Sequence, residues 1–480
     1  MKGLTIGIPV VRGFDRPAWE KIHRWGKSSS SGRSVSTGRY FDDSGQEVCN
    51  ACKADGDRGQ VTDLVLVAHG IGQKIAERVE SYHFTHAING FRRAVNVELG
   101  SPGVRQVLRP GYNGLMILPL NWRLGLSFDD PDPRYQEDKS SDDGNPADSF
   151  GLKDIEPDTI PAIRSMISDV MFDIPFYMSH HKGKMIRALI SEANRVYRLW
   201  CRNNPGFSDK GRVHLIAHSL GSAMALEILS RQPTIAPPLD LSQAEPGTRF
   251  LEFDTKNLFL MGSPAGFFML LERGHLIPRR GRRKPGADIS DIVADEVVGE
   301  AGMFGCLAVD NIYNILAKED PIAYLLNGSV DAAYAASLKT AYLPSTSVSF
   351  LKSVGDAFRS VVPGMSPSAN PLMEEPERPS TVRLPSQLEL EIRDFTREEI
   401  AEKKAYLLND NGQIDWFLRS GGGPLEIQYL NMLSAHTSYW TNMDFIRMVC
   451  MEIGRKPGRA NTIPAMRAVK ASKRNLPMAK

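Results

Sequence analysis

Short apolar runs alternate along this chain with longer segments whose apolar residues recur at helical spacing. Short continuous apolar runs are typical of strands buried on both faces of a parallel sheet. The runs that predict strands are Leu115–Trp122, Val213–Ala217, Asp310–Ala317, and Asp63–Gln73 and Asn257–Phe268, which both end in a turn. Apolar residues recur at helical spacing in Thr159–Phe207, before the strand Val213–Ala217, and in Ser222–Leu229, after it. This alternation predicts an α/β fold with a mostly parallel sheet, helices on both faces and long insertions.

Several segments interrupt the pattern. Lys27–Gln60 is rich in Ser, Gly, Asp and Arg, which predicts a flexible leader over residues 1–60. Phe128–Asp154 is acidic and broken by Pro and Gly, as surface insertions are. Val330–Val362 is a further insertion with an apolar helical stripe, which packs on its own core or serves as a lid or interfacial helix. Pro363–Pro379 has the composition of a linker.

Towards the end of the chain the pattern becomes less regular. Leu388–Ile392 and Gln413–Leu418 alternate as a strand pair would, and Pro424–Leu433 has helical spacing. His275–Lys284 is strongly basic and is interpreted as a solvated loop, with anionic lipid binding as the alternative. The tail after Gly454 is basic and is predicted to be frayed.

Composition narrows the class of protein. The 480 residues are 42% apolar and 24% charged, which is typical of folded globular chains. A net charge of +2 indicates no broad basic field, so we expect no nucleic-acid partner. Five scattered cysteines make a poor disulfide framework and favour a reducing compartment, and the single C-x-x-C at Cys49 and Cys52 is interpreted as two loop cysteines. No apolar run is long enough to span a bilayer, and no secretory signal is expected.

The clearest candidate for chemistry is the sequence A-H-S-L-G around Ser219. It lies between the strand Val213–Ala217 and the helix Ser222–Leu229, with small residues two positions before and after the serine. A serine on such a sharp strand-to-helix turn exposes its hydroxyl above a sheet, because the crowded backbone accepts only small neighbours. This nucleophile elbow predicts an α/β-hydrolase-like fold. Ala217 stands where glycine is usual.

A second turn supplies candidate groups for an oxyanion. His69-Gly70-Ile71-Gly72 follows the strand that begins at Asp63. Glycines at a strand end let backbone N–H groups approach a developing alkoxide, beside the N–H of the residue after the nucleophile, here Leu220. A phosphate-binding loop is the competing interpretation, but the sequence lacks the Lys-Ser/Thr ending of a P-loop and the three-glycine dinucleotide fingerprint.

A serine nucleophile needs a base, and the base needs an acid to orient it. In α/β-hydrolases the chain order is Ser, acid, His. Only His275 and His436 follow Ser219, and His275 precedes the strand that should carry the acid, so His436 is the predicted base. Asp320 follows the strand Asp310–Ala317 and is the predicted acid. His69 and His218 are interpreted as structural hydrogen-bonding residues.

Motifs at many points in the chain resemble those of the DDHD-domain intracellular phospholipase A1 family, which includes phosphatidic-acid-preferring phospholipase A1. The matching motifs are H-G-I-G-Q at 69–73, L-P-L-N-W-R at 118–123, N-R-V-Y at 194–197, N-N-P-G-F at 203–207, A-H-S-L-G-S at 217–222, M-G-S-P-A-G at 261–266, E-D-P-I-A-Y at 319–324, I-D-W-F-L at 414–418 and H-T-S-Y-W at 436–440. The resemblance covers residues 61–452. It implies that the four residues naming the module are Asp320, Asp415, His436 and Asp444.

The resemblance also implies a domain organisation. A leader over 1–60 precedes a hydrolase core over 61–300, a DDHD module over 301–455 with an insertion at 330–380, and a basic tail over 456–480. The segment that larger family members carry upstream is expected to be absent or reduced to the leader. No cofactor is expected, although Asp415, His436 and Asp444 offer an alternative divalent metal site.

Together these observations predict a serine carboxylic-ester hydrolase of the phospholipase A1 type. It would cleave an acyl ester of a glycerophospholipid, with phosphatidic acid the substrate that the resemblance favours, to a lysophospholipid and a fatty acid. The expected location is cytoplasmic, peripheral on intracellular membranes, with a mitochondrial address as an alternative. Two other functions stay open: a catalytically weak lipid-binding or membrane-tethering protein, and an esterase acting on soluble or acyl-protein esters.

Overall fold

The computed structural model describes the backbone at residues 40–41, 47–48, 61–70, 84–123, 126, 173–243, 245–344, 385–419 and 435–471. Side chains are described within these ranges except at 40–41, 47–48, 173 and 385–395. The chain divides into two units, Met1–Gln60 and Val61–Lys480. In the first unit the strands β1 (Tyr40–Phe41) and β2 (Glu47–Val48) pair in antiparallel fashion.

A six-stranded sheet forms the centre of the second unit. The strands of this sheet are β3 (Asp63–His69), β4 (Leu115–Leu120), β5 (Arg212–His218), β6 (Thr255–Met261), β9 (Val309–Leu316) and β10 (Asp415–Phe417). The strands β7 (Ile277–Pro278) and β8 (Cys306–Leu307) form a separate two-stranded ribbon. The order across the large sheet is β10-β9-β6-β5-β3-β4. Neighbouring strands in this sheet are all parallel, which confirms the predicted α/β fold class.

Helices surround the sheet on both sides. They are α1 (Phe84–Leu99), α2 (Pro102–Arg105), α3 (Asp173–Met178), α4 (Lys182–Asn203), α5 (Phe207–Lys210), α6 (Leu220–Arg231), α7 (Ala265–Leu271), α8 (Asn327–Val330), α9 (Ala332–Ser337), α10 (Pro385–Leu408) and α11 (Met443–Gly454), followed by 3₁₀ turns at Arg459–Asn461 and Pro464–Met466. No helix within the described ranges combines the length and the low charge that crossing a bilayer requires.

Alternate residues of each strand supply two separate hydrophobic cores. Leu64 and Leu66 of β3 pack with residues of α4 and α6 on one face of the sheet. Val65 and Val67 pack with residues of α1 and α11 on the other. Because successive strand residues point to opposite faces, a strand covered by helices on both sides must be apolar throughout. This explains why the strands appear in the sequence as unbroken apolar runs.

The strand order places a crevice at the centre of the sheet. β3 pairs with β4 on one side and with β5 on the other, so the connections that leave β3 and β5 diverge. In open parallel sheets, ligands bind at the carboxyl ends of strands where the strand order reverses in this way. Gly70 and Ser219 stand at this point, directly after β3 and β5.

The predicted strand over Leu388–Ile392 is wrong. These residues lie in α10, which runs without interruption from Pro385 to Leu408. The local alternation of Leu and Glu imitates a strand, but the whole stretch lacks glycine and is rich in Glu, Lys, Ala and Leu, which favour helix over a length that no strand reaches. The strand predicted over Gln413–Leu418 is present as β10 and pairs in parallel with β9.

Much of the basic segment His275–Lys284 is not the solvated loop that was predicted, although Arg283 is exposed. The buried Arg279 donates to the backbone carbonyls of Leu229, Ser230, Gln232 and Cys306. Arg282 pairs with Asp310 at 2.7 Å, and Lys284 pairs with Asp410 at 3.1 Å. These side chains cross-link the interior of the unit, so the alternative interpretation of them as an anionic-lipid surface is also wrong.

The tail after Gly454 packs on the unit as far as residue 471. Ile463 and Met466 are buried in the second core, and the buried Arg455 pairs with Asp410 at 3.0 Å. The prediction of a frayed tail is therefore wrong for these residues. The predictions for Cys49 and Cys52, for the insertion at 128–154, for the stripe and linker over 345–379 and for the helix over 424–433 lie outside the described residues.

A cluster of charged and polar side chains surrounds the buried Asp63 at the start of β3. The carboxylate of Asp63 accepts a hydrogen bond from Nε2 of His214 at 3.0 Å and pairs with Arg109 and Arg212. Burial lowers the pKa of His214 to about 4, against the opposing effect of the Asp63 carboxylate. Burial alone would raise the pKa of Asp63, but its partners hold the pKa below its usual value. The imidazole is therefore neutral in the folded protein at neutral pH.

We expect the free energy of unfolding to fall as the pH is lowered from 6.5 to about 4. In this window the unfolded chain binds a proton at His214 that the folded chain does not, which costs about 1.4 kcal/mol of stability for each pH unit. Urea unfolding measured across the window checks this. The variant His214→Gln should show a shallower dependence on pH, and an unchanged slope would contradict the assignment.

Candidate active site

The turn at Ser219 has the backbone geometry of a strained elbow. Its φ of 56° and ψ of −131° lie outside the regions that residues with a side chain prefer. Its N–H donates to the carbonyl of Met261 at 3.0 Å, which ties the turn to the end of β6. A Cβ on Gly221 would lie 2.7 Å from the carbonyl oxygen of Ala68, so this neighbour must be glycine. The Ser219 side chain is buried at the carboxyl end of β5.

Gly70 lies against the first turn of α6. A Cβ at Gly70 would fall 2.5 Å from the backbone nitrogens of both Leu220 and Gly221. The indole N–H of Trp122 donates to the carbonyl of His69 at 2.7 Å and fixes the strand end from which Gly70 emerges. The structure therefore brings together Gly70 and Leu220, two of the predicted oxyanion residues. Ile71 and Gly72 lie outside the described residues.

Asp320 and His436 are in direct contact. Nδ1 of His436 lies 3.0 Å and 2.9 Å from the two carboxylate oxygens of Asp320. Asp320 also accepts hydrogen bonds from the hydroxyl of Tyr439 at 2.8 Å and from the N–H of Ile322 at 3.0 Å. Because a carboxylate can only accept, the proton of a neutral His436 sits on Nδ1 and leaves a lone pair on Nε2.

At this edge, Oγ of Ser219 and Nε2 of His436 are buried without a hydrogen-bond partner in the part of the chain that the structure describes, and no hydrogen bond joins them to each other. The Nδ1 atoms of His69 and His218 are likewise buried without a partner among these residues. Gly262 lies next to both Ser219 and His436. It follows Met261, whose carbonyl accepts a hydrogen bond from the Ser219 N–H. A Cβ on Gly262 would lie 2.8 Å from Nδ1 of His436. Its φ of 51° is a second reason why only glycine fits.

His218 and His69 form a stack beneath His436. The His218 ring lies 4.6 Å from the His436 ring and 4.9 Å from the His69 ring. Nε2 of His218 lies 2.7 Å from the backbone carbonyl of His436, so this nitrogen must carry the proton. Burial and the nearby His436 lower the pKa of His218 well below its usual value and that of His69 to about 3. Both rings are therefore neutral, and His218 holds the backbone of His436 in place.

The other two residues that name the module do not join this hydrogen-bonded pair. Asp415 accepts from the amide of Asn314 at 2.8 Å and from the backbone N–H groups of Leu326 and Asn327, so both its oxygens are occupied. Asp444 lies in the first turn of α11, where a negative charge is favourable. Among the residues placed in the structure, no group of three or more His, Cys, Asp or Glu side chains could hold a metal ion.

Sequence reasoning missed two residues that shape the site. They are Tyr439, which donates to Asp320, and Gly262, which leaves room for the pair. His218 was predicted to be a structural hydrogen-bonding residue, and it bonds the backbone carbonyl of His436. Tyr439 and Gly262 stand in the matched motifs H-T-S-Y-W and M-G-S-P-A-G. Nothing in the sequence, however, indicated which atoms they would contact, because each contact joins distant segments.

The sequence of this chain is similar to a known domain family and to several named proteins. A family profile described as the DDHD domain matches residues 251–388 and 366–454. The chain is 29% identical to a probable mitochondrial phospholipase of Schizosaccharomyces pombe, over 82% of this chain and 54% of that protein. It is 24% identical to a probable mitochondrial phospholipase of Saccharomyces cerevisiae, over 85% of this chain and 51% of that protein. It thus spans about half the length of these curated relatives.

A relative that is matched over a shorter part of the chain has a different name. The triacylglycerol hydrolase DDHD2 of Mus musculus is 30% identical over 43% of this chain and 28% of that protein. No solved structure matches the chain. The residues matched by the DDHD-domain profile include Asp320, Asp415, His436 and Asp444, the four residues that the resemblance assigned to the module. The chain therefore contains a match to the DDHD domain over residues 251–454 and is similar over most of its length to probable phospholipases.

Proposed function

We propose that this protein is a serine hydrolase that cleaves an acyl ester of glycerophospholipids. The observation that carries the proposal is the Asp320–His436 hydrogen bond, at the same sheet edge as the strained elbow at Ser219. A backbone strained at one serine is costly, and such strain persists mainly where function requires it. The names of the relatives support phospholipid as the substrate class.

Each residue has a distinct role in the proposed reaction. The Ser219 hydroxyl attacks the ester carbonyl, and Nε2 of His436 accepts its proton and later returns it to the leaving alcohol. Asp320 fixes the tautomer of His436 and stabilises the imidazolium. The N–H of Leu220 and the loop that begins at Gly70 bind the oxyanion. Water then hydrolyses the acyl-enzyme and releases a fatty acid. Only protein groups and water take part.

The finer substrate assignment is a proposal that products can test. Purified protein is incubated with vesicles that contain phosphatidic acid or other glycerophospholipids with two different acyl chains, and with triacylglycerol emulsions. We expect lysophosphatidic acid and the fatty acid from the sn-1 position, measured by mass spectrometry. Vesicle binding without any product would favour the lipid-binding or tethering alternative. Release from triacylglycerol but from no phospholipid would contradict the phospholipid assignment.

The variant Gly70→Ala should lose most activity. Its Cβ would meet the nitrogens of Leu220 and Gly221, so the loop must move away from the place where an oxyanion would bind. Loss of one oxyanion donor costs about 10²–10³ in kcat. Steady-state hydrolysis of a short-chain ester measures the effect.

Gly90→Ala is the matched control for this change. Apart from the backbone of its own helix, no atom of the described residues lies within 4 Å of a Cβ at Gly90, in the interior of α1. Because alanine favours helix over glycine, this variant should be active and about 1 kcal/mol more stable. If Gly70→Ala retained full activity, the oxyanion role of this loop would be refuted.

A further inference from the structure

A cavity of about 760 Å³ lies between α7, α9 and β10. Its walls are one face of α7, the segment Leu325–Ser329, the end of α9 with the residues that follow it, and Phe417 of β10. Pockets that hold small molecules have volumes of this order and are mostly apolar with a few polar groups. Neither Ser219 nor His436 lines this cavity, so the proposed mechanism leaves it without a role.

The wall and rim of the cavity are apolar. Met269, Leu338 and Phe417 line it, and Leu270 and Leu325 on its rim are 73% and 57% exposed. The exposed apolar surface continues outward to Phe267 and Tyr324, whose rings lie 5.7 Å apart. A contiguous exposed apolar surface of this kind often marks a binding site. An alkyl chain fits this lining.

The charges at the cavity are positive. Arg273 and Lys339 line it, and neither forms an ion pair within the described ranges. The one carboxylate in the lining, Asp415, has both oxygens occupied by hydrogen bonds from Asn314 and the backbone. An unneutralised pair of cationic side chains beside an apolar wall favours a ligand with an anionic head and an apolar chain.

Arg273 is held in an unfavourable conformation. Its φ of 48° is one of two positive φ values at non-glycine residues in the described part of the chain, and the other is that of Ser219. A left-handed conformation costs a residue with a side chain about 1–2 kcal/mol, and helix ends that adopt it normally use glycine. Here Gly274 is the next residue, yet arginine occupies the strained position and its side chain lines the cavity.

The cavity is joined to the site through the loop that follows Asp320. The N–H of Tyr324 donates to the carbonyl of Ser263 at 2.9 Å, and Gly266 packs against the carbonyl of Leu325. We propose that this cavity binds a single-chain anionic lipid, with its head at Arg273 and Lys339 and its chain against Met269, Leu338 and Phe417. The source of the ligand rests on the proposed function: its two products are a fatty acid and a lysophospholipid.

Binding is tested directly with palmitate and with lysophosphatidic acid, by displacement of a fluorescent fatty acid from the otherwise intact Ser219→Ala protein, which cannot turn lipid over. Arg273→Gly removes the charge and relieves the strained φ, so the variant should fold, melt at a higher temperature and bind both lipids about tenfold more weakly. Arg273→Lys should retain binding. Lys210→Gln, at an exposed lysine of α5, should have no effect.

A second pair of variants tests the cavity itself. Ala336→Trp places an indole in the lining and should abolish binding, whereas Ala333→Trp, on the same helix but outside the lining, should not. If the variants weakened the binding of palmitate alone, the carboxylate would be identified as the ligand head. If they weakened the binding of lysophosphatidic acid alone, the phosphate would be identified. If neither Arg273→Gly nor Ala336→Trp weakened either lipid, the proposal would be overturned. A wild type that binds these lipids but releases no product would instead refute the proposed function.

Discussion

Replacing Ser219 with alanine should abolish ester hydrolysis and covalent labelling by a fluorophosphonate. Removal of a serine nucleophile that acts together with a histidine lowers kcat by about 10⁴-fold or more. The hydroxyl makes no hydrogen bond among the described residues, so its loss should leave the fold intact. Gel fluorescence and intact mass after labelling give the result. Ser208→Ala, at an exposed serine of α5, is the matched control and should label as the wild type does.

Ser219→Gly separates the strain of the elbow from its chemistry. Glycine accepts a φ of 56° without the steric cost that serine bears, so this variant should be inactive yet more stable by about 1 kcal/mol. Thermal unfolding of the wild type, the alanine variant and the glycine variant measures this difference. Labelling that persisted in either variant would rule out Ser219 as the nucleophile.

Asp320→Asn should reduce kcat by about 10⁴-fold with little change in KM. Without the carboxylate, His436 is no longer held in the tautomer that leaves Nε2 free, and an imidazolium has no partner. The amide nitrogen would also face one of the two donors, the Tyr439 hydroxyl or the Ile322 N–H, which costs about 1–3 kcal/mol of stability. Steady-state kinetics on a soluble ester, together with urea unfolding, separates the two effects.

Glu319→Gln provides the control because it neutralises the adjacent, exposed acid. Its kcat should stay within about twofold of the wild type, as expected for surface substitutions. A drop of less than tenfold in Asp320→Asn, or an equal drop in both variants, would show that Asp320 does not orient the base.

Local patterns were sufficient to predict most strands and the turn at Ser219. Val213–Ala217 and Asp310–Ala317 are apolar throughout because helices cover both faces of the sheet, and this requirement is visible in the sequence itself. The same reasoning failed at Leu388–Ile392, where a few alternating residues were read without the long helical context around them. It failed again at Arg279, because sequence does not reveal whether a cation faces water or buried carbonyls.

The fold class and the small set of residues that could carry chemistry follow from local sequence, because apolar periodicity and small residues at a tight turn are local properties. Which of these residues meet depends on how distant segments pack. Asp320 and His436 are 116 residues apart in the chain, and their contact depends on the order of the strands and on a glycine at 262. Tyr439, His218 and the charges around Arg273 likewise acquire their surroundings from distant segments. Such long-range packing has no periodicity along the chain, and for that reason no local pattern could have predicted it.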